Sequence, residues 1–215
     1  MAEGPLAASL AAIEAAARQE LEAKHAAREQ ALVESRALVR LCANAIRAVH
    51  REEFDRAAEM LAEAQGISSR LAEALREHQD LYWAGYVQDA QKELVEACVT
   101  FRAVRGEPLP LPTELGVAAP AFLNGLGEAV GELRRYLLDR LRRGAIGGCE
   151  ALLAIMDDIY SLLITLDYPD ALTGGLRRTT DNVRGILERT RGELTLALSH
   201  HELQNALQQL AARLP

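Results

Sequence analysis

The sequence predicts an all-α protein: a single bundle of six or seven helices that opens with a long N-terminal helix. The chain has 215 residues, is rich in Ala, Leu, Glu and Arg, and contains only 4% aromatic residues, a composition that favours helices. Apolar residues recur at three- and four-residue intervals, and no strand-like alternation is present in the sequence. We therefore expect residues 1–215 to form one domain with a sizeable core.

The first predicted helix runs from Pro5 to about Val49, as one helix or as two in near-continuous line. Pro5 suits a first helical turn, and no glycine or proline follows it in this stretch. Leu10, Leu21 and Leu38 belong to an apolar series at helical spacing, with charges between them. A helix of this length exceeds what one compact domain needs, so we expect it to pack against partner subunits as well.

Glycines and prolines divide the remainder of the chain. A shorter helix is predicted to end at Gly66, and another covers 68–78, with Ser68 or Ser69 as its N-cap. A long helix follows from about Gln79 to Val104. Its core face is predicted from the helical spacing of six residues. These residues are Trp83, Val87, Ala90, Leu94, Ala97 and Phe101.

The segment "RGEPLPLPTELGVAAP" predicts a loop without regular structure, because proline removes backbone donors and fixes φ. Beyond it, three more helices are expected, separated by the breaks "GAIGG" and "DYPDALTGG". They cover about 121–143, about 149–166, and a last stretch from near Gly175 to about Leu214.

Charge and cysteine content narrow the functional classes. The formal net charge of −7 argues against an all-over basic nucleic-acid coat and a polybasic membrane binder, but it leaves room for a local basic groove. Cys42, Cys98 and Cys149 lie far apart, which predicts reduced, buried thiols. No apolar run is long enough to span a membrane, and the N-terminal segment lacks the basic start of a signal peptide. We therefore expect a cytoplasmic protein without membrane contact.

Two pairs of glutamates stand out on successive long helices. Glu93 and Glu96 share one helix face, and Glu96 interrupts an apolar run, where a carboxylate is costly unless something compensates it. Glu128 and Glu132 are four residues apart on the next long helix. If the helices meet across a cleft, four carboxylates suit a hard cation such as Mg²⁺, with Mn²⁺ as an alternative. Chance spacing on exposed faces produces the same pattern, so this alternative stays open.

Three glycines accompany the second pair, at Gly125, Gly127 and Gly131. Each glycine inside a helix costs roughly 1 kcal/mol relative to alanine, so we expect a backbone or a ligand to approach closely there. Arg134 and Arg135 directly follow Glu132 and are candidate phosphate contacts. Surface ion pairs and the helix dipole are the alternative explanation for these arginines.

Three segments, taken together, resemble the translin superfamily, nearest to its translin-associated factor X (TRAX)-like prokaryotic members. They are "YVQDAQKELVEA", "GLGEAVGELRRYLLDRLRRG" and "EALLAIMDDIYSLLITLDYPDALTGGLRRTTD", and the resemblance covers about residues 80–195. It implies a fold of about seven helices, a closed octameric homo-oligomer with inward-facing active sites, and a Mg²⁺-dependent endoribonuclease acting on single-stranded RNA.

The resemblance extends to individual residues. Two glutamates of the catalytic branch match Glu93 and Glu96, and an acidic residue and a glutamate match Glu128 and Glu132. The third position is an aspartate in the catalytic subunit, so Glu128 keeps the charge but moves the oxygens. The alternative is a non-catalytic translin-like protein that binds single-stranded RNA or DNA, and a helical scaffold without a nucleic-acid role is a third option.

Overall fold

The protein is described by a computed structural model that covers residues 4–212. Over this range the chain forms nine α-helices and no strand, as the all-α prediction requires. In chain order they are α1 (Pro5–His50), α2 (Phe54–Ala74), α3 (Gln79–Tyr82), α4 (Gly85–Arg105), α5 (Pro112–Leu115), α6 (Ala119–Arg142), α7 (Cys149–Leu163), α8 (Asp170–Thr173) and α9 (Leu176–Ala211). Six of them are longer than ten residues; the predicted extension of the last helix to Leu214 lies outside the described residues.

The long helix α1 is continuous, and its two halves differ in environment. Its second half packs against α2 and α4, with Leu38, Cys42 and Val49 fully buried. Residues 5–30 contain no buried side chain. Residues 5–23 are all exposed and project from the bundle, whereas Lys24 pairs with Asp80 and Ala27 packs against the apolar cluster around Leu71.

Helices α4 and α6 form the centre of the bundle. They pack on each other, α1 and α2 cover α4, and α7 and α9 cover α6. One apolar cluster joins all six long helices and includes Leu94 of α4 and Leu133 of α6, both fully buried. Because α4 is enclosed on several sides, its polar residues are held at fixed positions against neighbouring helices.

Two predicted helix boundaries are wrong. Helix α2 continues through Gly66 and Ser68, because Leu61, Ile67 and Leu71 on either side bury apolar side chains. That burial outweighs the roughly 1 kcal/mol cost of one internal glycine. The helix predicted from Gln79 is instead interrupted after α3.

The interruption falls at Trp83 and Ala84, where Ala84 has an extended backbone. The prediction that Trp83 belongs to the core is also wrong, because its side chain is 54% exposed. Within the predicted loop and within the last break, one-turn helices form, α5 and α8. Pro112 lies in the first turn of α5, where its missing N–H costs nothing.

The three thiols are buried, as predicted. Burial raises the pKa of Cys98 to about 12, and burial also raises the pKa of Cys42 well above that of a free thiol. These cysteines are therefore unreactive packing residues.

None of the helices between residues 4 and 212 has both the length and the apolar character that crossing a bilayer demands.

Candidate metal centre and adjoining cleft

Helices α4 and α6 touch at their backbones, which brings their acidic faces together. A Cβ atom at Gly125 would lie 2.5 Å from the carbonyl oxygen of Lys92 and 2.8 Å from the Cβ atom of Val95. At Gly127 it would lie 2.4 Å from the side chain of Thr179 on α9. The expected approach of a backbone is therefore confirmed at Gly125, whereas side chains crowd Gly127 and Gly131 faces open space.

Three of the four predicted carboxylates converge at this contact. Ligand oxygens of Glu93, Glu96 and Glu128, here called the acidic cluster, all lie within 4.8 Å of one another. A Mg²⁺ ion holds oxygens at roughly 2.1 Å, so opposite ligands lie about 4.2 Å apart, and small side-chain rotations would suffice to share one ion. The extra methylene of Glu128 does not keep its carboxylate out of the cluster.

The cluster is half-buried, and this changes its protonation. Burial first of all, together with the charges of Glu93 and Glu128, raises the pKa of Glu96 to about 8. Burial and the charge of Glu128 likewise raise the pKa of Glu93. Both carboxyls are thus held in an environment that disfavours their charged form, and a bound cation would reverse that preference.

Glu132 stands apart from the cluster because another residue engages it. Its Oε2 atom lies 2.5 Å from Nε2 of His50 and 3.7 Å from a guanidinium nitrogen of Arg135. The hydrogen bond to His50 holds the pKa of Glu132 below its usual range. Its charge still acts on Glu93 and Glu96.

His50 is a site residue that the sequence analysis did not identify. It occupies the last turn of α1, is only 7% exposed, and its Nδ1 atom has no hydrogen-bond partner among the described residues. One signal was available, because His50 follows Ile46 by one helical turn and so lies on the buried face of α1.

Lys92 is a second such residue. Its Nζ atom lies 2.9 Å from Oε1 of Glu128 and 3.7 Å from a carboxylate oxygen of Asp89. Burial alone would lower the pKa of Lys92, but the hydrogen bond and charge of Glu128 outweigh it and raise the pKa. A positive charge therefore already neutralises one member of the acidic cluster.

The two predicted RNA-contacting arginines have different surroundings. Arg134 donates hydrogen bonds of 2.9 Å to Thr190 Oγ1 and to Glu193 Oε1, and so braces α6 against α9. Arg135 is exposed beside Glu132. Arg135 is thus free to meet a ligand, whereas Arg134 would have to give up contacts within the protein; an RNA contact by either stays a prediction.

A cleft of about 830 Å³ opens directly beside the acidic cluster. Glu128 and Lys92 line it, so the cleft and the acidic cluster share Glu128. Its walls come from α4, α6, α8 and the first turns of α9. Its lining includes Trp83, Asn124, Leu172, Arg178 and Asn182.

Several known proteins resemble this chain over most of its length. No family model matches the chain. An uncharacterised protein of Methanocaldococcus jannaschii is 29% identical over 189 residues, which cover 87% of this chain and 83% of that protein. The structure of apo NeC3PO has a TM-score of 0.77 at 19% identity, covering 86% of this chain and 96% of that one, and supports the fold alone.

Two structures of AfC3PO are more similar in sequence. The complex of AfC3PO with duplex RNA has a TM-score of 0.80 and 35% identity, covering 86% of this chain and 95% of that one. The crystal structure of AfC3PO itself has a TM-score of 0.79 and 34% identity, covering 86% and 96%. With identity above 30% across nearly the whole of the matched chain, and with the predicted fold observed, the protein belongs to the C3PO family of the translin superfamily.

Proposed function

We propose that this protein is a metal-dependent endoribonuclease that hydrolyses single-stranded RNA. One observation carries the proposal: Glu93, Glu96 and Glu128 converge on one half-buried point beside an open cleft. The kinship with AfC3PO, which has been solved with duplex RNA, supports RNA as the polymer.

The donor set suits Mg²⁺, with Mn²⁺ as the alternative. Glu93, Glu96 and Glu128 offer only carboxylate oxygens, which hard cations prefer, and no Cys or His belongs to the cluster. The raised pKa values of Glu93 and Glu96 fit a site that is completed by a cation. When bound, the ion would lower the pKa of a water molecule and stabilise the charge on the leaving oxygen.

The protein's own side chains would orient the reacting groups. His50 holds the Glu132 carboxylate near the cluster and keeps it ionised, so Glu132 is available to complete the ligand set. Arg135 is exposed at the same edge, where a guanidinium would neutralise a backbone phosphate. Such contacts do not discriminate between bases, so we expect weak sequence preference.

We further propose that the chain assembles with copies of itself into a closed, octameric shell that encloses the site. Exposed apolar residues at helical spacing line the first half of α1 and the end of α9, and such stripes are typical of interfaces. They are Leu6, Leu10, Ile13 and Leu21 on α1, and Leu203, Leu207 and Leu210 on α9.

The direct test is cleavage of a labelled single-stranded RNA with Mg²⁺, with Mn²⁺, and with EDTA. We expect cleavage that EDTA abolishes, and a loss of at least about 100-fold in Glu96→Gln, because one ligand is removed without changing the side-chain shape. Glu188→Gln is the matched control, since Glu188 is exposed on α9 without an ion pair among the described residues. If the Glu96→Gln and Glu188→Gln proteins cleave at equal rates, the proposal is wrong.

A non-catalytic binder of single-stranded RNA or DNA is the second candidate. The observation that favours it is that Lys92 pairs with Glu128 and His50 pairs with Glu132, so two of the four predicted ligands are already satisfied by the protein. This candidate predicts metal-independent RNA binding without cleavage, weakening as salt rises.

A further inference from the structure

We propose that the cleft beside the acidic cluster is a binding site for one unpaired nucleotide, with its base against Trp83 and its phosphate at Arg178. The inference rests on the proposed function for the identity of the polymer, but its observations come from other residues. Such a site would explain why the protein prefers single-stranded RNA, which the acidic cluster alone does not explain.

The size and position of the cleft suit a nucleotide. Its volume of about 830 Å³ lies in the range of small-molecule sites. Trp83 and Glu128 both line it, and Lys92 pairs with Glu128. A nucleotide in the cleft would therefore place a neighbouring phosphodiester next to the acidic cluster.

The apolar part of the cleft is suited to a planar base. Trp83 lies at the joint between α3 and α4, and Tyr82 packs edge-on against it, with ring centroids 5.2 Å apart and planes at 86°. The indole is thus held in position while 54% of the side chain stays exposed. Leu172, also exposed, supplies a second apolar contact from α8. Stacking on an aromatic ring tolerates any base, because every base has a π-face.

The polar part of the cleft contains unused hydrogen-bond donors. Between residues 4 and 212, the side chains of Trp83, Arg178 and Asn182 make no hydrogen bond or ion pair with the protein. Two neighbouring side chains, in contrast, bond to each other: Thr179 donates a hydrogen bond of 2.6 Å to the Oδ1 atom of Asn124. The cleft therefore combines a fixed framework with a free guanidinium for phosphate and free N–H donors for a base or sugar.

This chemistry distinguishes paired from unpaired strands. A base in a duplex is stacked between its neighbours and its Watson–Crick edge is occupied, so it cannot enter a side cleft without unpairing. A base in a single strand enters freely. A free nucleoside monophosphate carries the same groups, so the experiment includes it as a separate probe.

The single tryptophan of the chain makes the proposal measurable. We would titrate the full-length protein, in EDTA to prevent cleavage, with a short single-stranded oligoadenylate, with the same strand in a duplex, and with adenosine monophosphate. Indole fluorescence reports Trp83, and the anisotropy of an end-labelled strand reports total RNA binding. We expect saturable quenching by the single strand and by the mononucleotide, and none by the duplex.

Two adjacent arginines supply a matched pair of variants. Arg178→Ala should raise the Kd for single-stranded RNA at least about five-fold, because Arg178 is the one arginine among residues 4–212 that lines the cleft, and its guanidinium is unpaired there. Arg177→Ala should leave it unchanged, since Arg177 pairs with Asp167 outside the cleft. Trp83→Ala should weaken binding by a similar factor, and Trp83→Phe should restore most of it by keeping a stacking surface. Circular dichroism checks that each variant folds.

Several outcomes would overturn the proposal. One is RNA binding by anisotropy without a change in indole fluorescence; another is equal affinity of the Arg177→Ala and Arg178→Ala proteins. Quenching by the mononucleotide but not by the strand would overturn the assignment to RNA. The proposed nuclease is tested independently: quenching without cleavage would overturn the nuclease and support the nucleotide site, and cleavage without quenching would do the reverse.

Discussion

Glu96 and Glu132 carry the same carboxyl group, but their surroundings shift its pKa in opposite directions. Burial raises the pKa of Glu96, whereas the hydrogen bond from His50 lowers the pKa of Glu132. The sequence identifies both residues as candidate metal ligands, because it shows the spacing of the glutamates and the apolar neighbours of Glu96. It does not reveal their difference, since His50 lies 82 positions before Glu132 and meets it only in the folded chain.

The first prediction concerns the pH dependence of stability in the absence of metal. The pKa of Glu96 is about 8 in the folded protein, against an ordinary value of 4.5, so the folded state binds more protons between these values. Stability therefore falls through this group as pH rises from about 4.5 to about 8. Glu96→Gln removes this loss. The free energy of unfolding of the variant, relative to that of the wild type, should therefore rise by about 2–4 kcal/mol from about pH 5 to about pH 9.

Urea unfolding in EDTA at the two pH values measures the difference. Glu188→Gln should follow the wild type, because its carboxylate is exposed. Equal pH dependence in the wild type and the Glu96→Gln protein would contradict the prediction.

A second prediction at this scale links metal binding to proton release. A carboxyl that is largely protonated at neutral pH must ionise before it can bind a cation. Titration calorimetry with Mg²⁺ or Mn²⁺ at neutral pH, in two buffers of different ionisation enthalpy, should therefore detect proton release. The release should disappear in the Glu96→Gln protein, and its persistence there would assign it to another group.

At the scale of the helices, the sequence predicts the long elements well and their joints less well. Apolar spacing marks α1, α4, α6, α7 and α9, because each buries a stripe against the same core. Gly66 is wrongly predicted to end a helix, because the burial of Leu61 before it and Ile67 after it keeps α2 continuous. Trp83 is wrongly predicted to lie in the core, because its large apolar ring fits the helical spacing of the core residues. The helix is interrupted at Ala84, and the ring lines the cleft instead.

The glycines of α6 give a third prediction, on how closely two helices approach. Gly125→Ala should destabilise the protein by about 1–3 kcal/mol, because a Cβ would lie 2.5 Å from the backbone oxygen of Lys92 and would push α4 away. Gly131→Ala should stabilise it by up to about 1 kcal/mol, because the site is open and alanine favours the helix.

The two substitutions are chemically identical and lie in the same helix, so each controls for the other. Thermal unfolding measures the stabilities, and metal affinity measures the geometry of the acidic cluster. Only Gly125→Ala should weaken metal binding. Equal effects of the two substitutions would contradict the close approach.

At the scale of the whole molecule, the described helices leave two apolar stripes without a cover. Residues 5–30 of α1 bury no side chain, and the end of α9 exposes Leu203, Leu207 and Leu210. The sequence predicts the stripe on α1 from the length of that helix, but it makes no such prediction for α9. It does not indicate which copies meet, because an exposed stripe specifies a contact without specifying its partner.

A fourth prediction tests self-assembly through these stripes. Leu10→Glu with Ile13→Glu places two charges on the apolar face of α1 and should reduce the mass of the assembly measured by light scattering. Gln19→Glu adds a charge on the opposite face and should leave the mass unchanged. If all of these proteins have the same mass as the wild type, α1 does not form the interface.

The projecting half of α1 has a thermodynamic consequence. At about 1.5 Å per residue, the fully exposed residues 5–23 extend roughly 30 Å beyond Lys24, the first residue of α1 with a contact to another helix. Helices that lack packing partners are marginal in water, so this segment should gain most of its order from association. Its helicity then obeys mass action: dilution should melt residues 5–23 first, while the bundle persists, and hydrogen exchange in this segment should depend on protein concentration.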